Sequence, residues 1–71
     1  MNKFTFDGHD YIDNGGFIDD AEGQLVVTVS YCPIGEEFVA EAFDSSSYSV
    51  VHRNEPDARM TAIKSAISGQ Y

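Results

Sequence analysis

The sequence predicts an α+β fold: an N-terminal β-hairpin, a three-stranded antiparallel meander and one C-terminal helix packed on the sheet. Three observations predict it. Asp7-Gly8 lies between two short segments of strand character, and this pair suits a type I′ hairpin turn, which needs positive φ at both positions. Gln24 to Arg53 holds three β-branched, alternating runs separated by turn residues. From Asn54 onward the pattern changes to a helical period bracketed by start and stop signals.

The hairpin is expected over Lys3 to Ile12. Asn14-Gly15-Gly16 is a second turn signal. Phe17 to Gly23 is acidic and irregular and is expected to be a loop, with Phe17 and Ile18 anchored in the core. Gln24 to Cys32 is the clearest strand: Leu25, Val27, Val29 and Tyr31 share one face, and Val26, Thr28, Ser30 and Cys32 share the other. Pro33 to Glu36 turns the chain into a strand over Glu37 to Phe43. Phe38, Ala40 and Ala42 form its apolar face, and Glu37, Val39, Glu41 and Phe43 a half-solvated one. Asp44 to Ser47 connects to a third strand, Tyr48 to Arg53, on which Tyr48, Val50 and His52 alternate with Ser49, Val51 and Arg53. The helix follows, capped by Asn54 or Glu55, with Pro56 in its first turn and Asp57 at the positive end of the dipole. Met60, Ile63 and Ile67, beside Ala62 and Ala66, make one apolar stripe, with Arg59 and Lys64 off it. Gly69 stops the helix.

At 71 residues the chain is read as a single domain, 1–71, with a small core. A hydrophobic fraction of 42%, with five Phe and four Tyr, still specifies a folded interior. Met1-Asn2-Lys3 followed by Phe4-Thr5-Phe6 does not read as a leader, and no apolar run approaches the ~20 residues that span a bilayer. The single cysteine, Cys32, has no internal partner. A reducing, cytoplasmic setting is therefore expected.

Charge is the strongest functional signal. Between Phe4 and His52 stand ten acids and no Lys or Arg: Asp7, Asp10, Asp13, Asp19, Asp20, Glu22, Glu36, Glu37, Glu41 and Asp44. The four bases, Lys3, Arg53, Arg59 and Lys64, all lie outside that window, and the net charge is −8. Such a chain repels nucleic acid and anionic membrane and attracts basic surfaces. Direct nucleic-acid binding needs a Lys/Arg patch that four bases against twelve acids do not supply. The expected charge pattern is two-sided, an acidic sheet-and-loop side and a nearly neutral helical side.

Glu37-Phe38-Val39-Ala40-Glu41-Ala42-Phe43-Asp44 resembles the second strand of HicB-like antitoxin domains, which commonly reads Gly-Tyr-Val-Ala-Glu, two residues, then Asp. Val26 to Val29 takes the place of that family's first strand and Tyr48 to His52 its third. Pro56 to Ile67 is similar to its alanine-rich helix ending in Ala-Ile. The resemblance covers residues 24–67. Ser45-Ser46-Ser47 stands where the family has a Pro-Gly-Cys type of turn, and Arg59 and Lys64 stand where its helix has glutamates. The DNA-binding segment that follows the helix in most full antitoxins is not read before Tyr71, so autoregulation by DNA binding is not implied. In size and acidity the chain also resembles phage-encoded inhibitors of the anti-CRISPR type.

Catalytic and metal constellations are sparse. Asp10, Asp13, Asn14, Gly15 and Asp19 do not follow EF-hand spacing. His9 and His52 have no companions at zinc spacing. Cys32 with a histidine is a conceivable nucleophile pair, and a small buried apolar cysteine is the plainer alternative. No serine sits in a Gly-x-Ser-x-Gly context, and Asn14-Gly15-Gly16 is no phosphate loop. No cofactor, no metal and no enzymatic activity are expected.

The remaining chemistry is mimicry of phosphate charge. Glu37 and Glu41 share a strand face, with Glu36 and Asp44 at its ends, and Asp7, Asp10 and Asp13 would extend the row. Residues on one face repeat about every 6.8 Å, and DNA carries one charge per ~1.7 Å of axis. The expected binding set is therefore Asp7, Asp10, Asp13, Asp19, Asp20, Glu22, Glu36, Glu37, Glu41 and Asp44, with Phe43 as the exposed aromatic anchor. Tyr11 and Tyr48 are further aromatic candidates. The expected function is non-enzymatic occlusion of a basic nucleic-acid-binding surface of a bacterial defence complex such as a CRISPR effector. The alternative is a HicB-like antitoxin capping a small RNase toxin, and a calcium-dependent structural module is the third class. The chain is expected to be a monomer, or a homodimer paired through a strand edge at Tyr48 to Arg53.

Overall fold

A computed structural model of the chain describes residues 2–69. Its strands run β1 (Asn2–Phe6), β2 (His9–Asp13), β3 (Phe17–Asp20), β4 (Leu25–Cys32), β5 (Glu37–Ala42) and β6 (Tyr48–His52), followed by helix α1 (Ala58–Ser68). All six strands join one antiparallel sheet in sequence order, β1-β2-β3-β4-β5-β6. The α+β class is as the sequence predicts. The sheet is larger than expected, because the hairpin and the meander are one sheet and not two parts.

The joint is β3. Phe17–Asp20 pairs with β2 through Tyr11↔Asp20, Ile12↔Asp19 and Asp13↔Ile18, and with β4 through Phe17↔Thr28 and Ile18↔Val27. Its acids conceal it from a reading by propensity, yet neither is buried against the core. Asp19 lies on the open face and Asp20 closes the next turn. Successive strand residues point to opposite faces. Ile18 is accordingly fully buried while Phe17 is 56% exposed, so of the two expected anchors only Ile18 serves. A bulge follows Ile18, where Asp19 is opposite Leu25; it bends the sheet.

The Asp7-Gly8 turn forms as expected, with φ of 54° and 80°. Of the core-facing residues expected of the meander, Val27, Val29, Ala40 and Ala42 are buried; past the bulge Leu25 pairs with Asp19, and Val26 packs against the core in its place. Tyr31 shares that face and is 43% exposed, packing edge-on to Phe38 with centroids 5.0 Å apart. α1 crosses this face over β4, β5 and β6, burying Ala58, Ala62, Ile63, Ala66 and Ile67. The three alanines let the helix approach closely. The sheet curls, so that Phe4 and Phe6 of β1 also pack on the core and Lys64 Nζ lies 5.7 Å from the Phe6 ring centroid.

The helix starts later than the cap signals imply. Asp57, not Asn54 or Glu55, is the N-cap; its φ is 51° and its side chain makes no cap bond. The physical reason is the reversal. β6 ends at the sheet end opposite to the one α1 must reach, and residues 53–57 are used in turning back, with Glu55 N donating to the His52 carbonyl. At the other terminus Gly69 N–H closes on the Ser65 carbonyl, and the Ser47 hydroxyl donates to the Ala66 carbonyl at 2.9 Å. This ties the helix end to the β5–β6 connection. No helix among the described residues is long and apolar enough to cross a membrane.

Candidate functional site

An antiparallel meander sends alternate connections to opposite ends of the sheet. The β1–β2, β3–β4 and β5–β6 connections therefore share one end, and Asp7, Glu22 and Asp44 lie in them. Asp10, Asp19, Asp20 and Glu41 lie within two residues of the same end on their strands. These seven carboxyl residues come from three strands and three loops, and neither arginine is among them.

Local bonding fixes several of these groups. Asp20 Oδ1 accepts the N–H groups of Glu22 (3.0 Å) and Gln24 (2.9 Å), so one carboxylate builds the β3–β4 turn. Asp44 Oδ1 accepts Ser46 N–H at 2.9 Å, and the Ser46 bonds hold the Asp44 carboxyl below its ordinary range. Asp10 accepts the Thr5 hydroxyl at 2.8 Å, and Asp19 the Asn14 amide at 2.8 Å. Phe43 is 68% exposed beside Asp44, over a shallow hollow lined with Leu25 and Val26. The C-terminus of α1 arrives at this end too, through Ser47, and adds the partial negative charge of its carbonyls. On the β1 side Lys64 lies over Phe6 near this end, whereas Lys3, opposite Ile12, stands towards the other end of β1.

The opposite end holds the arginines, each already matched. Asp13 is 7% exposed and receives a bidentate pair from Arg59, Nη1 to Oδ2 at 2.6 Å and Nη2 to Oδ1 at 2.8 Å. Arg59 Nη2 also donates to the Gly15 carbonyl, and Gly15 N–H donates to Asp13 at 2.9 Å. Arg53 reaches Glu36 at 3.2 Å, with His52 Nε2 at 3.8 Å from the same carboxylate.

This divides the expected binding set. Asp7, Asp10, Asp19, Asp20, Glu22, Glu41, Phe43 and Asp44 come together at one end. Glu36 and Glu37 stand at the other, and Asp13 is withdrawn into its ion pair. Glu37 and Glu41 occupy same-face positions of β5, four residues or about 13.6 Å apart, and Glu36 beyond Glu37 is engaged by Arg53. Charge is separated end to end, not face to face. Of the aromatic candidates, Tyr11 is buried, stacked on Phe4 at 5.4 Å, while Tyr48 is 70% exposed.

No family model matches this chain. Curated proteins and solved structures give no match either.

Cys32 and His52 share a cross-strand row with Glu37 between them. Two strand spacings, about 9.6 Å, keep thiol and imidazole out of hydrogen-bond reach. Among the described residues no group of three or more His, Cys, Asp or Glu is placed to hold a metal ion.

The Asp13–Arg59 pair is the feature that sequence reasoning missed. Its signal was Arg59 itself, a long cation directly beside buried Ala58 in the first turn of the helix. The guanidinium holds the Asp13 carboxyl below its ordinary value of 3.8, mainly through the hydrogen bonds it donates. A carboxyl lowered in the fold contributes stability above its unfolded value and loses it as pH falls through the folded value. Unfolding free energy of the wild type should therefore drop relative to Asp13→Asn as pH falls below about 3.8. Urea titrations of both proteins across that window measure this.

Proposed function

We propose that the chain is a non-enzymatic inhibitor that sets its acidic sheet end against a basic nucleic-acid-binding surface of another protein and keeps nucleic acid off it. One observation carries this reading. The meander gathers Asp7, Asp10, Asp19, Asp20, Glu22, Glu41 and Asp44 at a single end, while both arginines bind carboxylates at the other. A stability-driven surface would intersperse the signs. Grouping the acids raises self-repulsion, and it serves a surface that must meet Lys and Arg. Carboxylates on three adjacent loops, with Phe43 exposed among them, supply charge-assisted bonds and one apolar anchor. The partner class is a bacterial defence complex of the CRISPR-effector kind, with action by stoichiometric occlusion and no turnover. The sheet-on-helix order of residues 25–68, resembling HicB-like domains, favours a second reading, in which the basic surface is that of a small RNase toxin. The physics is shared and the partner differs.

Capture from a bacterial lysate on the tagged chain tests the proposal. Basic nucleic-acid-binding proteins should be retained, should be released by added DNA or RNA, and should be lost as salt rises from about 50 to about 500 mM, since exposed charges are screened beyond ~10 Å at about 0.1 M. Retention of acidic or membrane proteins, insensitive to nucleic acid, would reject it.

A further inference from the structure

The sheet has two open edges, β1 and β6. Exposed edges are normally blunted by Lys, Pro, bulges or cover. β1 carries Lys3. β6, Tyr48-Ser49-Val50-Val51-His52, carries no Lys, Arg or Pro and no acid, and its pairing with β5 is regular.

The ladder defines what this edge offers. Arg53 N–H donates to Glu36, and Ala42 N–H to the Ser47 carbonyl, so the hydrogen-bonded pairs of β5 and β6 are 36↔53, 38↔51, 40↔49 and 42↔47. Bonding direction alternates along an antiparallel strand. The N–H and carbonyl groups of Tyr48 and Val50, and the N–H of His52, therefore point away from β5 to the outer edge. The His52 carbonyl accepts Glu55 N–H.

We infer that this edge pairs with the β6 edge of a second copy, antiparallel about a twofold axis at Val50. In that register the two Val50 residues exchange both their backbone bonds, and His52 N–H of each copy meets the Tyr48 carbonyl of the other. Isologous pairing requires such self-complementarity. Charge allows this occupant. With a net charge of −8 most surfaces of two copies repel, whereas β6 carries no Asp or Glu, so an antiparallel β6 pair sets two acid-free strands against each other, with Arg53 and its Glu36 partner at the rim. Val39 and Val50 of both copies form one apolar strip on the open face, where Val50 is 43% exposed in the single chain. Asp7, Asp10, Asp20 and Glu22 lie on the far side of each sheet and stay open, so the dimer would present two acidic ends facing opposite ways. This inference does not depend on the identity of any partner protein.

Light scattering of the purified full chain across a concentration series tests it. The mass should climb from 7.8 kDa to a plateau at twice that value. Val50→Pro removes only an outward donor and should hold the chain at the single mass. Val50→Lys, which sets like charges on the axis, should do the same, with a melting temperature that matches wild type at concentrations where wild type is also a single chain and no longer rises with concentration. If Val50→Pro fails to fold, Val50→Lys and amide exchange decide: the Val50 amide should become more protected as concentration rises. A single mass at every concentration would overturn the inference. So would growth past two chains without a plateau, the mark of β6 pairing on β1, or a dimer that survives both substitutions.

Discussion

Arg59→Ala should lower the melting temperature by roughly 10–20 °C, the largest effect expected of any single side chain outside the core. Asp13, 7% exposed beneath the Arg59 guanidinium, is left with the Gly15 N–H as its bond partner. Breaking a buried pair by removing one partner costs about 3–5 kcal/mol. Arg59 is one-third exposed, at 33%, so water replaces part of the loss, and roughly 2–3 kcal/mol is the expected cost. A 71-residue domain has a total stability of roughly 4–10 kcal/mol, and each kcal/mol is worth roughly 4–8 °C at this size. The pair also spans 46 residues of sequence, fastening α1 to the β2–β3 turn. Arg59→Lys should recover only part of the loss, because a point charge does not reproduce the bidentate fork. Asp13→Asn combined with Arg59→Gln should be less damaging than Arg59→Ala alone, since no buried charge is left unpaired. Thermal melts of the four proteins check this, and an Arg59→Ala protein melting within about 2 °C of wild type would show that the pair does not hold the helix in place.

The second large effect lies at the acidic end. Asp10→Lys, Glu22→Lys and Glu41→Lys together should weaken partner binding by roughly 100-fold or more, at about 1–1.5 kcal/mol per reversed charge and about 1.4 kcal/mol per decade. These three side chains are exposed and come from β2, the β3–β4 turn and β5, so the variant probes the whole end. Asp20 is left alone because its carboxylate builds a turn. Asp7 is left alone because its φ of 54° suits Asp, Asn or Gly better than Lys. The fold should survive, since the substitutions relieve like-charge repulsion. The complementary variant, Glu36→Gln with Glu37→Gln, should bind within a few-fold of wild type, because those residues sit at the opposite end.

What the sequence made legible follows from how local each signal is. The Asp7-Gly8 turn is encoded in two residues and formed as expected, with both in positive φ. β4, β5 and β6 are encoded in period-2 runs of β-branched residues and agree with the structure to within a residue or so. β3 was illegible because its four residues include Asp19 and Asp20, and its strand character comes from neighbours on both sides, not from its own propensity. Phe17 was misplaced for the same reason, since without a strand there is no alternation to turn it outward. The helix start was displaced because cap residues announce a helix without recording how many residues a reversal consumes.

The acidic window was visible in the sequence, but its geometry was not. Ten acids in a row of residues do not reveal that a meander folds most of them to one end, or that Asp13 and Glu36 are drawn off by arginines 46 and 17 residues further along. Those pairings are long-range, and no local pattern specifies them.

The central claim is that the acidic end and nucleic acid compete for one surface. Displacement of a labelled oligonucleotide from the captured partner tests this most directly. Stoichiometric displacement by the wild-type chain is expected, with suppression of that displacement as salt rises, and almost none by the Asp10→Lys, Glu22→Lys, Glu41→Lys variant. A partner that holds the wild-type chain and its oligonucleotide at the same time, each with undiminished affinity, would contradict it.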